Sequence, residues 1–166
     1  MTRLPFAALK FVAMLALLVA AHGEAVAQAS CTVSVTPLNF GAYSGAQIQA
    51  TGTVDLTCSG TSGSRPSYSV SASSGNSGNY AQRFLRRAGT PSETINYSLA
   101  ILFGNTTGTW GDGSSGTIAW TGRTQPINAG NPQRVDSATI SGTIAAGSVP
   151  SAGSYNDTIV VTATWN

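Results

Sequence analysis

The stretch Ile95-Asn-Tyr-Ser-Leu-Ala-Ile-Leu-Phe103 decides the fold class. Tyr97, Leu99, Ile101 and Phe103 fall at every second position, and Leu102 is the only large apolar residue opposite them. A period of two sends alternate side chains to opposite faces of an extended chain, so this segment predicts a core β-strand. Gly52-Thr-Val-Asp-Leu-Thr-Cys58 repeats the pattern, with Val54, Leu56 and Cys58 on one face and Thr53, Asp55 and Thr57 on the other. One side is buried and the other is wet.

Outward from these two stretches, strands are predicted at residues 31–35, 51–58, 67–72, 95–103, 116–121, 138–144 and 157–165. In the last, Ile159, Val161, Ala163 and Trp165 alternate with Val160, Thr162 and Thr164. So apolar a strand must be paired in a sheet, because an exposed apolar edge invites aggregation. Segments 59–66, 73–79, 104–115 and 129–132 are rich in Gly, Ser, Asn and Pro and read as loops. Residues 80–87 fit a helical turn or a strand equally well. No long helical pattern is present, and the class is all-β, a sandwich of short strands.

The N-terminus predicts export. Arg3 and Lys10 flank the start of an apolar run, Phe11-Val-Ala-Met-Leu-Ala-Leu-Leu-Val-Ala-Ala21, followed by small and polar residues. That order is a secretory signal peptide, and the run is too short to span a bilayer. Cleavage after Ala27 or after Ala29 satisfies the small-x-small rule. The later site is preferred, dividing the chain into a leader at 1–29 and one domain at 30–166. The alternative of a lipidated Cys31 is disfavoured by Gln28, where such cleavage boxes usually carry Leu.

Composition then excludes much chemistry. The only histidine, His22, and the only lysine, Lys10, lie in the leader. A mature chain without histidine has no Ser-His-Asp triad, no Cys-His dyad and no His-ligated metal. Six arginines face five acids, a net charge of +1 that makes no case for nucleic acid binding. A carboxylate pair is the one remaining catalytic option, and no two of the acids are close in sequence. The expectation is therefore no enzyme, no cofactor and no metal. Cys31 and Cys58 are the only cysteines, and in an exported protein they predict a structural disulfide worth about 3 to 4 kcal/mol.

Several features are candidate binding residues. Arg83, Arg86 and Arg87 form a basic cluster suited to an anionic surface or glycan, or simply solvated at the domain border. Trp110 and Trp120 suit sugar stacking, although tryptophan in a small β-domain is more often core. Asp112 in Trp110-Gly-Asp-Gly-Ser-Ser-Gly116 lacks the companion acids of a calcium loop and reads as a glycine-rich connection. The sequon-like triplets at Asn96, Asn105 and Asn156 carry no weight in a chain this rich in Asn, Ser and Thr.

Cys31-Thr-Val-Ser-Val, Leu38-Asn-Phe-Gly-Ala-Tyr43 and Gly52-Thr-Val-Asp-Leu-Thr-Cys58 together resemble the opening of the spore coat protein U-like domain. Asn96-Tyr-Ser-Leu, Trp110-Gly-Asp-Gly, Ser141-Gly-Thr-Ile and Gly153-Ser-Tyr-Asn-Asp-Thr-Ile-Val-Val extend the resemblance over nearly all of the mature chain. It implies a subunit of the archaic chaperone/usher, Csu-type, surface pili used for attachment and biofilm formation. It also implies an immunoglobulin-like sandwich lacking its final strand, completed first by a periplasmic pilus chaperone and then by another pilus subunit after passage through an outer-membrane usher. Ile159, Val161, Ala163 and Trp165, or their opposite-face neighbours, would then contact the inserted strand. Shaft subunits of this type carry an alternating extension before the first cysteine. Here one to three residues remain, which implies a chain that accepts a strand without giving one. A self-sufficient secreted coat or surface-binding protein is the alternative.

Overall fold

The computed structural model describes residues 29–147 and 149–166. The predicted leader therefore lies outside the described residues, apart from Ala29. Among the described residues ten strands form: β1 (Ser30–Val35), β2 (Ile48–Ser59), β3 (Ser67–Ala72), β4 (Arg83–Arg87), β5 (Thr90–Phe103), β6 (Thr106–Thr109), β7 (Trp120–Arg123), β8 (Gln133–Ile144), β9 (Tyr155–Asn156) and β10 (Val161–Trp165). They make two sheets. The larger runs β1-β2-β8-β5-β4-β9 with β6 attached to β5, and the smaller runs β10-β3-β7. This is the all-β sandwich predicted from the alternation, with the immunoglobulin-like architecture that the resemblance implies.

The centre of the large sheet follows directly from sequence. β2 and β8 pair antiparallel over their whole length, from Ile48 opposite Ile144 to Ser59 opposite Gln133. Val54, Leu56 and Cys58 are 0% exposed. β5 sends Ile95, Tyr97, Leu99 and Ile101 into the core and leaves Leu102 on the surface. β1 pairs with β2 so that Cys31 sits opposite Cys58, and the two are disulfide-bonded as predicted.

Elsewhere the boundaries move for identifiable reasons. The undecided 80–87 segment is both things: a 3₁₀ turn at Tyr80–Gln82, where the Asn79 side chain accepts the Ala81 N–H, then strand β4. The strand predicted at 116–121 starts late, at Trp120. Thr117 is spent on the preceding turn, its Oγ1 donating to the Ser114 carbonyl and accepting from the Gly113 N–H. Asp112 closes the same turn, accepting from the backbone N–H and hydroxyl of Ser114, which holds its carboxyl below the usual carboxylate range. The predicted 104–115 loop contains β6, a polar edge strand of Thr-Thr-Gly-Thr that carries no hydrophobic alternation.

The strand predicted at 157–165 forms only from Val161, as β10 on β3 of the small sheet, while the two residues just before the predicted range form β9 on β4 of the large one. Asp157 marks the crossing, its Oδ1 accepting the backbone N–H groups of Asn76 and Thr158 and its Oδ2 the Tyr97 hydroxyl proton. Gly75 lies beneath it with φ +70°, and a β-carbon there would collide with the Asp157 carboxylate, so only glycine fits.

Candidate functional site: an apolar groove between the sheets

Among the described residues, β1 is paired on one side only, with β2, and β10 on one side only, with β3. The two strands run side by side at the margin of the sandwich. They meet at one pole, where the Trp165 indole N–H donates to the Ala29 carbonyl at 2.9 Å. Away from that pole they diverge. Burial along β1 falls from Cys31 through Val33 to Val35, which is 37% exposed.

The divergence leaves a groove of about 530 Å³. Val33, Val35 and Leu38 line one wall, Ile159 and Val161 the other, and Leu99, Trp110 and Ile140 the floor. Past Leu38 and Asp157 it opens into a second space of about 720 Å³, between segment 37–43 and segment 150–157. Segment 37–43 has its place because two glycines make room for it. A β-carbon on Gly142 would lie 2.5 Å from the Phe40 ring, and one on Gly52 2.6 Å from the Thr36 carbonyl oxygen. The Tyr43 hydroxyl anchors the far end of the segment by donating to the Ala145 carbonyl.

Of the four residues predicted to contact an inserted strand, Ile159 and Val161 line the groove. Ala163 packs against the core, and Trp165 closes the pole. The inward face is theirs, since Val160 on the opposite face is 60% exposed. Val33, Val35, Leu38, Phe40 and Leu85 were not anticipated as groove residues. Their signal was present in the alternation of Cys31-Thr-Val-Ser-Val35 and in the apolar pair Leu38 and Phe40.

Two candidate surface-binding residues are corrected by the structure. Trp110 is buried, its indole N–H directed at the Val70 carbonyl, and it belongs to the groove floor. Arg83 is fully buried, with Nη2 donating to the carbonyls of Ser73 and Trp110 at 2.7 and 2.8 Å and the guanidinium stacked over the Tyr80 ring. Burial pulls its pKa down, and Tyr97, Tyr80 and Asp157 nearby partly oppose that. Its position opposite Tyr97 in the β4–β5 ladder turns it toward the core. Tyr97, itself buried and bonded to Asp157, has its hydroxyl pKa pushed up.

The remaining arginines of the cluster are committed to structure. Arg86 donates to the Asn76 carbonyl, and Arg87 bridges Glu93 at 2.9 Å and donates to the Ala152 carbonyl at 2.6 Å. Glu93 also accepts the Ser151 N–H. These bonds from Ser151, with help from Tyr155 and Arg87, hold its carboxyl down at about 2. Among the described residues no helix is long and apolar enough to cross a membrane, and no three His, Cys, Asp or Glu side chains gather as a metal site.

Two packed β-sheets with a marginal apolar groove define a class of small β-sandwiches. The chain belongs to the Spore Coat Protein U domain family, whose model matches residues 15–162. No curated protein matches it. Among solved structures it is similar to a chain of the CsuC–CsuE chaperone–tip adhesion subunit pre-assembly complex from archaic chaperone-usher Csu pili of Acinetobacter baumannii. That match has 21% identity and a TM-score of 0.51, over 82% of this chain and 39% of that one. It is also similar to a chain of a chaperone–tip adhesin complex of CFA/I fimbriae biogenesis, at 19% identity and a TM-score of 0.50, over 80% of this chain and 42% of that one. The chain thus spans less than half the length of the structures it resembles, and the likeness is one of fold.

Proposed function

We propose that this protein is a non-enzymatic structural or adhesive subunit of a chaperone/usher-type surface pilus, exported through the periplasm and supporting attachment and biofilm formation. Its groove is the acceptor for a β-strand from another polypeptide, first a periplasmic pilus chaperone and then a neighbouring subunit delivered by an outer-membrane usher. The observation that carries the proposal is the apolar groove between β1 and β10, each of which pairs on one side only. An added strand would satisfy the free backbone groups of an edge and cover Ile159, Val161, Val33 and Val35 in one step. The fold shared with a chaperone–subunit complex supports this reading.

The test is to purify the domain from the periplasm with and without a co-expressed chaperone of this class. The expected result is aggregation or low yield alone, and rescue by the chaperone or by a synthetic peptide of alternating apolar residues. A domain that stays monomeric, melts cooperatively and ignores both additions would overturn it. That outcome would favour the self-sufficient coat or surface-binding protein, for which one observation speaks: the groove floor is nearly covered already, with Leu99, Trp110 and Ile140 at most 3% exposed.

A further inference from the structure

Arg83, Arg86 and Arg87 are committed to structure, which leaves Arg65, Arg123 and Arg134 to be accounted for. All three sit at the pole that Trp165 closes. Arg65 lies two residues before β3, Arg123 ends β7 opposite Ser67, and Arg134 stands opposite Cys58 near the start of β8. Each is fastened by the same atom. The Arg123 Nε donates to the Arg65 carbonyl at 3.0 Å, the Arg65 Nε to the Thr124 carbonyl at 3.5 Å and the Arg134 Nε to the Pro126 carbonyl at 2.9 Å. The Thr124 N–H in turn donates to the Pro66 carbonyl, so the anchors belong to two segments bonded to each other. Those on Thr124 and Pro126 are two residues apart, about 7 Å of extended chain.

Anchoring by Nε leaves the terminal amines of all three guanidiniums without a protein partner. Arg65 and Arg123 are exposed, and Arg134 is half-buried with neither terminal nitrogen closed off from water. None of them is in an ion pair, since the one salt bridge among the described residues is Arg87–Glu93. Asp136, two positions past Arg134 on the same face of β8, is turned to Tyr68, whose hydroxyl pKa is pushed up by burial and then by this carboxylate. We propose that this pole binds an acidic polysaccharide, with sulfate or carboxylate groups held by Arg65 and Arg123 and a further contact to Arg134. A guanidinium pinned at Nε presents its two terminal amines side by side, the geometry that matches an oxyanion, and has less freedom to lose on binding. Around them Ser62, Gln125, Asn131 and Gln133 are exposed with unbonded side chains, which suits sugar hydroxyls. Segments 59–66 and 124–132 expose no large apolar side chain for a membrane. Three cations are also fewer than the roughly six to ten phosphate contacts typical of duplex binding. The site would give an adhesive subunit its ligand class, but it stands on the arginines and does not depend on what fills the groove.

The test is binding of the exported protein, carrying a complementing peptide if it needs one, to immobilised dextran sulfate, alginate and neutral dextran. Binding to the two acidic polymers and not to the neutral one is expected. On dextran sulfate, log affinity should fall against log salt with a slope of about −2 to −3, as three counterions are released. The double variant Arg65→Gln/Arg123→Gln should bind about tenfold more weakly or worse, with a slope shallower by about 2. Arg123→Gln and Arg86→Gln remove the same charge from opposite ends of the sandwich. The first should weaken binding several-fold, and the second, beyond the reach of screened charge, by less than about twofold. Equal losses from these two would overturn the site, because binding would then follow net charge. So would a wild-type protein that ignores both acidic polymers, or one that binds phosphatidylglycerol vesicles or duplex DNA more tightly than either. Failure of the strand-acceptor reading would appear in the chaperone experiment instead and would leave these affinities unchanged.

Discussion

β2 and β10 carry the same kind of sequence pattern and end in different states. In β2 the inward positions Val54, Leu56 and Cys58 are dry, because β1 and β8 flank the strand and the small sheet covers its face. In β10 the inward positions Val161 and Ala163, and Ile159 just before the strand, are only half-buried, because β3 is the single neighbour. Period-two alternation therefore reports which face is meant to be covered, and the number of flanking strands determines whether this chain alone covers it. The half-buried alternation of β10 is that of an edge strand with one neighbour among the described residues, and it lies beside the equally one-sided β1.

The sharpest way to break the comparison is to truncate one residue from each strand. Leu56→Ala empties a fully enclosed site and should cost about 2–5 kcal/mol in chemical denaturation of the domain. Ile159→Ala removes a side chain whose surface is partly in water and should cost about 1 kcal/mol in the same measurement. If the groove accepts a strand, the Ile159→Ala cost should rise toward the Leu56→Ala range once a complementing peptide or chaperone is bound. Equal costs in the free domain would show that β10 is already closed.

The wall on the β1 side can be tested through Gly142. A Val there would press its β-carbon against the Phe40 ring and push the 37–43 segment out of place. Overpacking of this kind should cost about 1–3 kcal/mol, with the main change in the local environment of Phe40 and Tyr97, whose rings meet edge to face at 5.9 Å. The same substitution at Gly113, with nothing near its virtual β-carbon, should show only the strain of its φ of +90°.

These two regions also show where sequence reading stops. The β2, β5 and β8 core was legible because alternation, turn residues and the Cys31–Cys58 pair all pointed the same way. The terminal strand was legible as an apolar edge, but its late start at Val161 and the crossing from β9 before it were not. Asp157 makes that crossing by accepting the N–H groups of Thr158 and of Asn76, the second far away in sequence. Arg83 was misplaced on the surface for a related reason. A guanidinium is buried only where carbonyls are already arranged to receive it, here those of Ser73 and Trp110, and no local pattern encodes that. The groove was half-read: the alternation of Ile159 and Val161 marked one wall, while the other needed knowledge of how segment 37–43 folds over Gly52 and Gly142.

The smallest expected effect concerns segment 150–154, a wall of the second space beside the groove, which is held by side chains instead of a ladder. Segment 150–154 is fastened to the large sheet by Glu93, through the Ser151 N–H and the Arg87 bridge, and by Arg87 through the Ala152 carbonyl. Glu93 has its carboxyl lowered from 4.5 to about 2 in the folded chain, so folding favours its charged form. The clamp therefore contributes fully above the unfolded-state value near 4.5 and is lost as pH falls through about 2. Melting curves of the wild type and Glu93→Gln between pH 6 and pH 2 should show a small gap that is constant above about 4.5 and closes toward 2. Leu56 carries no titrating group, and the carboxylates of the β2–β8 ladder, Asp55 and Asp136, are present in both chains compared, so Leu56→Ala should keep its full cost relative to the wild type across the same range. A gap for Glu93→Gln that does not narrow on acidification would mean that the 150–154 wall is held by its backbone bonds, such as the Ala88 N–H to the Ser154 carbonyl. Its resemblance to the ladder-held β2 would then be closer than the side-chain bonds indicate.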